Sequence, residues 1–144
     1  MKKQTVLFLE WSTYGREFEI VLPLMYFFEK KLKWNVEYRS QFNLPSIINI
    51  RPDIVIMSGS TGADKGLQWT RLIEKSNILL FTHVTEGMFR EADIEEFVWG
   101  RGKEEKKFSE TLSMLWTYKS YNMAVKAFPE TKNTYRVSGA VGFD

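Results

Sequence analysis

His83 and Glu86 are the residues of this sequence whose side chains are best suited to acid–base chemistry. Both lie in the segment THVTEGMFR, directly after an apolar run that predicts a buried strand. Partial desolvation at a strand end favours the protonated form of a carboxyl group, which suits it to accept and return a proton. Glu86 is therefore the first candidate for a general base, and His83 is the second. In the structural alternative, Glu86 caps the next helix and His83 hydrogen-bonds within its loop.

Glycine and hydroxyl residues follow another predicted strand, in the loop SGSTGADKG. Gly59, Ser60, Thr61 and Gly62 could present backbone N–H groups and a helix N-terminus to an anion. The spacing matches neither the P-loop nor the dinucleotide-binding fingerprint. A plain glycine turn with Asp64 as the cap of the next helix is the structural alternative.

A third loop, STYGRE, follows the first predicted strand and places Gly15 beside Arg16. A guanidinium next to a glycine could clamp a phosphate or a sugar hydroxyl. Alternatively, Arg16 is a solvated residue in the first turn of a helix. Both readings stay open at this point.

The composition excludes several other classes of function. One histidine and no cysteine cannot build the usual zinc site. A net charge of +2 is too small to argue for nucleic-acid binding. No serine lies in the nucleophile elbow of a Ser-His-Asp hydrolase.

The strands that must position these loops are predicted from short apolar or alternating segments: TVLFLEW, NVEYRS, DIVIMSG, NILLFTHV and TYRVSG. Segments with helical spacing separate them. Most of the strands are continuous apolar runs, which is typical of strands buried on both faces. The pattern predicts an α/β fold of three layers, with a Rossmann-like open parallel sheet and helices on both faces. Because the carboxyl ends of parallel strands meet at one edge, the three loops are expected to share one wall of a site.

Two of the predicted helices carry specific expectations. Residues 17–33 have helical spacing, and Pro23 within them predicts an irregular or kinked turn. Residues 109–127 are predicted to form one helix that Ser109 caps and Pro129 ends.

The size of the chain and its aromatic content give two further expectations. At 144 residues it has the size of one domain, and no stretch approaches the roughly 20 apolar residues of a membrane span. Two basic clusters, EKKLKW and KEEKKF, lie beside aromatic residues. Such clusters are most often solvated helix faces. Peripheral contact with anionic lipid is the alternative.

Three segments, in this order, resemble parts of one enzyme group. RPDIVIMSGSTGAD, ILLFTHVTEGMFR and YRVSGAVGFD are similar to segments of the first domain of UDP-N-acetylglucosamine 2-epimerase. They also resemble GT-B glycosyltransferases of surface and capsular polysaccharide biosynthesis. Those proteins share a closing Gly-Asn-Pro-Arg-Phe-Asp signature, which this chain matches at Gly139, Phe143 and Asp144.

The resemblance implies a domain arrangement. Two Rossmann-like domains face each other across a cleft in that group, so residues 1–144 would be a single domain, the N-terminal, acceptor-side half of a larger enzyme. Residues 139–144 would begin the interdomain hinge. A C-terminal domain would bind the nucleotide sugar, so no cofactor is expected in this half, which would be inactive alone. Such enzymes commonly stabilise the leaving diphosphate with helix dipoles and basic groups, so the resemblance also implies no metal. The partner would be a carbohydrate or lipid-linked acceptor, and the location cytoplasmic or at the inner face of the membrane.

Departures from the epimerase pattern favour the transferase branch. Here TYGRE stands where epimerases have Gly-Thr-Arg-Pro-Glu, and Glu86 matches their catalytic glutamate only after a shift of one residue. By the resemblance, Glu86 is the base or orients it, and His83 is the second candidate. The expected substrate-binding residues are Arg16, Gly59, Ser60, Thr61, Gly62 and Gly139. An epimerase first domain and a separate flavodoxin-like, non-catalytic binding module remain the alternatives.

Overall fold

Six strands form one all-parallel open sheet in the computed structural model, which describes residues 3–10, 16–40, 45–58, 64–84, 91–93 and 110–139. The strands are β1 (Thr5–Glu10), β2 (Asn35–Ser40), β3 (Ile54–Ser58), β4 (Leu79–His83), β5 (Leu112–Leu115) and β6 (Tyr135–Val137). Their order is β2-β1-β3-β4-β5-β6. The predicted α/β class with an open parallel sheet is confirmed.

The helices connect strands that run in the same direction. They are α1 (Arg16–Tyr26), α2 (Pro45–Ile50), α3 (Asp64–Lys75) and α4 (Tyr118–Ala127). A π-helical turn over Phe27–Lys31 continues α1, and short 3₁₀ turns span Glu91–Asp93 and Pro129–Asn133. Pro23 lies inside α1, where its missing N–H removes one hydrogen bond without ending the helix. Within the described residues, no helix is long and apolar enough to cross a membrane.

The two faces of the sheet carry separate apolar clusters, because side chains alternate between faces along each strand. The cluster beneath α1 contains Val6, Phe8, Ile20, Val21, Phe28, Ile54 and Ile56. The cluster beneath α2 and α3 contains Leu7, Leu9, Ile47, Val55, Met57, Ile73 and Leu80. A third cluster, built from α4 and the last two strands, contains Leu115, Ala124, Phe128 and Tyr135. None of the three clusters includes Glu10, Ser58 or His83, the last residues of β1, β3 and β4.

The predicted helix over residues 109–127 is wrong in its first half. Leu112–Leu115 is a strand that pairs with β4 on one side and β6 on the other. The helix begins only after Thr117, whose Oγ1 accepts a hydrogen bond from the Ser120 N–H at 3.0 Å. Pairing with two neighbours outweighs the helical spacing of such a short segment. Ser109 lies outside the described residues.

Three residues that end helical segments have left-handed backbones. They are Lys33 (φ 60°), Arg51 (φ 49°) and Asn77 (φ 53°). Each follows a helical segment, and the Arg51 N–H donates to the Ile47 carbonyl at 3.1 Å. Glycine is the residue that adopts this conformation without steric cost.

Replacing Arg51 by Gly is therefore expected to stabilise the chain. Relief of the left-handed strain exceeds the extra entropy of glycine in the unfolded chain, leaving a gain of about 0.5–1 kcal/mol. Denaturant unfolding measures it. Asn77→Gly should gain less, since asparagine tolerates this conformation. Glu19→Gly, at the fourth residue of α1, is the matched control and should lose about 1 kcal/mol. If Arg51→Gly lowers the free energy of unfolding as much as Glu19→Gly does, Arg51 does not have the left-handed conformation described above.

Candidate functional site

Glu10, Ser58 and His83 form one row across the carboxyl edge of the sheet, the edge at which the strands end. Ser58 is opposite His83 in the pairing of β3 with β4. Glu10 follows Leu9, which is opposite Met57, and so lies at the level of Ser58. Neighbouring residues in a parallel row point to the same face. Both outer side chains therefore project to the face that α1 covers, as Phe8 and Ile56 do.

Glu10 and His83 meet across the intervening strand. His83 Nε2 lies 2.8 Å from Glu10 Oε1, with Glu10 fully buried and His83 6% exposed. Their strands are not neighbours, so their backbones are about 9–10 Å apart at the usual strand spacing. The contact forms because Ser58, which lies between them and is also buried, has a short side chain. A larger residue at this position on β3 would separate the pair.

Each partner has a second polar side-chain atom, Oε2 of Glu10 and Nδ1 of His83, both buried. Within the described part of the chain, neither Glu10 Oε2 nor His83 Nδ1 has a hydrogen-bond partner. Burying such an atom unpaired costs about 1–3 kcal/mol, so its presence calls for an explanation beyond packing. Such unpaired buried atoms are rare in folded proteins, and they occur at sites that hold a substrate, an ion or a bound water.

The arrangement suits proton transfer. With Glu10 ionised, its carboxylate only accepts hydrogen bonds, so the proton of the neutral imidazole is on Nε2. Nδ1 is then the acceptor, and the carboxylate can stabilise the imidazolium that forms when Nδ1 takes a proton. The pair can therefore act as a base toward a hydroxyl group. No cluster of three or more metal-ligating side chains occurs among the described residues.

The position in the sheet is one at which α/β proteins bind ligands. The chain leaves β1 for β2 on one side and reaches β3 on the other side of β1, so the direction of connection reverses between β1 and β3. Ligands bind outside the carboxyl ends of strands at such a switch point. Glu10 and Ser58 are the last residues of those two strands.

The structure places only some of the predicted site residues. His83 is the last residue of β4, in the row described above. Arg16 is the first residue of α1, which follows β1, but its side chain is outside the description. The other predicted catalytic residue, Glu86, and the loop residues Gly59, Ser60, Thr61 and Gly62 lie outside the described residues.

Gly139 lies two residues beyond β6 and has φ +83°. A Cβ built there would meet no atom within 4 Å, so backbone conformation and not space favours glycine. This gives Gly139 a structural reason to be glycine, whether or not a substrate approaches it.

Glu10 is a site residue that the sequence did not identify as a partner of His83. It follows five residues of a buried strand and is itself fully buried. An acidic residue that ends a continuous apolar run is the signal that could have found it, because a buried carboxylate needs a partner.

The aromatic residue Trp116 immediately follows β5, the strand that pairs with β4. Met114 is opposite His83, so Trp116, two residues further on, projects to the same face. The Trp116 Nε1–H donates a hydrogen bond to the Val84 carbonyl at 2.7 Å, and the indole is partly exposed. An indole fixed in this way is suited to stack against the face of a sugar ring.

The opposite face carries a separate row of buried hydroxyl groups. Thr82 Oγ1 lies 2.8 Å from Ser113 Oγ, and Ser113 also hydrogen-bonds the side chain of Tyr135. Burial raises the pKa of Tyr135 and the charge of Glu110 raises it further, so its hydroxyl stays protonated. These groups satisfy one another and so have a structural role.

Two cavities lined by described residues lie at the other end of the sheet, the amino edge, where the strands begin. One, of about 710 Å³, is next to the starts of β1 and β2. The other, of about 740 Å³, is between the ends of α2 and α3. Neither is lined by Glu10, Ser58 or His83.

Comparisons with known proteins add no assignment. No family model matches the chain, and no curated protein matches it in sequence.

Proposed function

We propose that this chain is the acceptor-binding domain of a nucleotide-sugar-dependent glycosyltransferase of surface polysaccharide biosynthesis. The observation that carries the proposal is the buried Glu10–His83 pair at the carboxyl edge, beside the switch point of the sheet. The resemblance of three chain segments to that enzyme group supports it independently. A cytoplasmic location belongs to the proposal.

The reaction gives His83 a defined task. An acceptor hydroxyl attacks the anomeric carbon of the donor sugar, so a new C–O bond forms as the bond to the diphosphate oxygen breaks. The diphosphate leaves with the bonding electron pair, and the hydroxyl proton passes to His83 Nδ1. Glu10 holds Nε2 and stabilises the positive ring. Glu86, three residues after His83 in the chain, is the alternative base of this proposal, or a group that orients the base.

Other residues of this chain and a second domain complete the proposed site. Trp116 is proposed to stack on the acceptor sugar next to His83, with the glycine-serine loop and Arg16 completing the acceptor site. A second domain is proposed to bind the nucleotide sugar and to stabilise the departing diphosphate through helix N-termini and basic side chains. Residues 1–144 alone are expected to bind the acceptor without transferring sugar.

Two other functions are distinguishable from this one. A 2-epimerase domain would use the pair to remove a proton from a sugar carbon and would need no acceptor. A non-catalytic module is favoured by a different observation: the order β2-β1-β3-β4-β5 is that of flavodoxin-like binding proteins. Such a module would bind a ligand at the same edge without turnover.

The test uses the protein in which this domain is joined to a nucleotide-sugar-binding domain. Incubation with nucleotide sugars is expected to release nucleoside diphosphate only when a carbohydrate acceptor is added. Conversion of UDP-N-acetylglucosamine to its 2-epimer without acceptor would contradict transfer and identify the epimerase. Binding with no release and no conversion would identify the module. Transfer by residues 1–144 alone, as fast as by the two-domain protein, would contradict the proposed division.

A further inference from the structure

Large apolar side chains are exposed together on one segment. Seven such side chains are exposed in the described part of the chain, and four of them lie between residues 22 and 32. They are Leu22, Tyr26, Phe27 and Leu32, at 42%, 60%, 47% and 42% exposure. We call these four residues the apolar patch. Clustered exposure of this kind marks a surface that contacts something.

The orientation of the patch is set by the packing on its other side. Val21 and Phe28 are buried in the core beneath α1, and Phe28 makes an edge contact with Phe8 at a centroid distance of 6.2 Å. With these residues held inward, Leu22, Tyr26 and Phe27 cannot turn toward the sheet. The partly buried Trp34 packs against Phe28 beside the patch and lines the 710 Å³ cavity with Leu22 and Tyr26.

Basic side chains lie in the same segment as the patch. Lys30, Lys31 and Lys33 are exposed in the same segment. The acidic residues that line the adjacent cavity are paired, Glu29 with Lys30 at 3.1 Å and Glu37 with Arg39 at 2.9 Å. The surface therefore combines exposed aromatic rings with an excess of positive charge.

We infer that this surface binds the anionic surface of a lipid bilayer. Tyrosine, tryptophan and phenylalanine have the amphipathic or apolar rings that settle at the boundary of headgroups and acyl chains. Lysines beside them are attracted to negatively charged headgroups. A protein partner of ordinary composition would need no such group of lysines, since lysine is depleted in protein interfaces. Charge complementarity therefore favours an anionic bilayer over a protein as the partner of the patch.

The fold gives this contact a definite orientation. The π-helical turn ends immediately before β2 begins, so the patch lies at the amino edge of the sheet. Glu10 and His83 lie at the opposite edge, about 17–20 Å away at the rise of a five- to six-residue strand. Binding through the patch leaves the Glu10–His83 site facing away from the bilayer. The inference itself does not depend on the proposed function.

Vesicle flotation of the purified chain tests it. The chain is expected to float with vesicles of 70% phosphatidylcholine and 30% phosphatidylglycerol, and to bind pure phosphatidylcholine vesicles at least about 10-fold more weakly. Replacing Lys30 and Lys31 together by Gln should weaken binding to the anionic vesicles about 30-fold, since each lysine near the surface contributes about one factor of five. Replacing Tyr26 and Phe27 together by Ser should remove measurable binding.

Matched controls come from exposed residues outside the segment. Ile48→Ser and Tyr118→Ser change side chains of 58% and 75% exposure, and both should bind vesicles as the unchanged chain does. Far-ultraviolet circular dichroism checks that every variant is folded. Equal binding to both vesicle types, no binding to either, or unchanged binding of the Tyr26/Phe27 variant would overturn the inference. Self-association that the Tyr26/Phe27 variant abolishes, without vesicle binding, would overturn it in favour of a protein interface.

Discussion

Replacing His83 by Ala is expected to lower the free energy of unfolding of the chain by about 3–5 kcal/mol. The change leaves the fully buried Glu10 carboxylate without the imidazole that now lies 2.8 Å from it. A buried charge that loses its partner costs far more than the lost contact, because no water replaces it. Urea unfolding of the 144-residue chain near pH 7, followed by circular dichroism, measures the difference.

Replacing both partners together has a different expected result. The Glu10→Leu/His83→Leu double variant should be within about 1 kcal/mol of the unchanged chain, or more stable by up to about 4 kcal/mol. Apolar side chains of similar volume pack against Phe8 and Phe81 beneath α1 and leave no charge to desolvate. Lys126→Ala, at an exposed ion pair with Glu91, serves as the control and should leave the urea midpoint nearly unchanged.

The comparison separates a structural pair from a functional one. If His83→Ala destabilises the chain and Glu10→Leu/His83→Leu does not, the pair gives the fold no stability that two leucines could not give. Its presence at a strand end is then explained by chemistry, for which natural proteins give up stability. A double variant as unstable as His83→Ala would contradict this reading and make the pair a structural element of the sheet edge.

The sheet could be predicted because its strands have a local signal. The runs TVLFLE and IVIMS are continuous and apolar, and every residue of β3 and all but the first of β1 are buried. Such runs occur where helices cover both faces. The strand Leu112–Leu115 could not be found in this way. Only Ser113 and Leu115 of its four residues are buried, and it is held by pairing with β4 and β6, which lie far away in the chain.

The candidate site was predictable only in part, for a physical reason. His83 could be chosen because it ends a strand, and the ends of parallel strands share an edge. Its partner could not be chosen, because Glu10 is 73 residues away and its strand is separated from β4 by β3. Pairing depends on the strand order, the register and the small side chain of Ser58. The strand order and the register are not local properties of the sequence, so the role of Ser58 could not be recognised from its identity alone.

The role of the pair in transfer rests on the proposed function and gives a larger effect on rate. In the two-domain enzyme, His83→Gln is expected to lower kcat for sugar transfer by about 10²–10⁴, the usual contribution of a general base. Glu10→Gln should lower kcat by a smaller factor, because Glu10 acts by holding the imidazole. The KM for the acceptor should stay nearly constant in both variants, since neither change removes a binding contact made before the reaction.

Non-additivity distinguishes a positioning role for Glu10 from independent catalysis. If Glu10 acts only by holding His83, its loss has no further effect on kcat once His83 is gone. The Glu10→Gln/His83→Gln enzyme should then have the kcat of His83→Gln alone. Thr82→Val is the matched control. Thr82 is buried, precedes His83 and hydrogen-bonds Ser113 on the opposite face, so its loss should cost about 1 kcal/mol of stability and leave kcat unchanged. If the double variant instead lowers kcat by the product of the two separate factors, Glu10 does more than hold His83. If His83→Gln transfers at the rate of the unchanged enzyme, the base lies elsewhere, and Glu86 becomes the residue to replace.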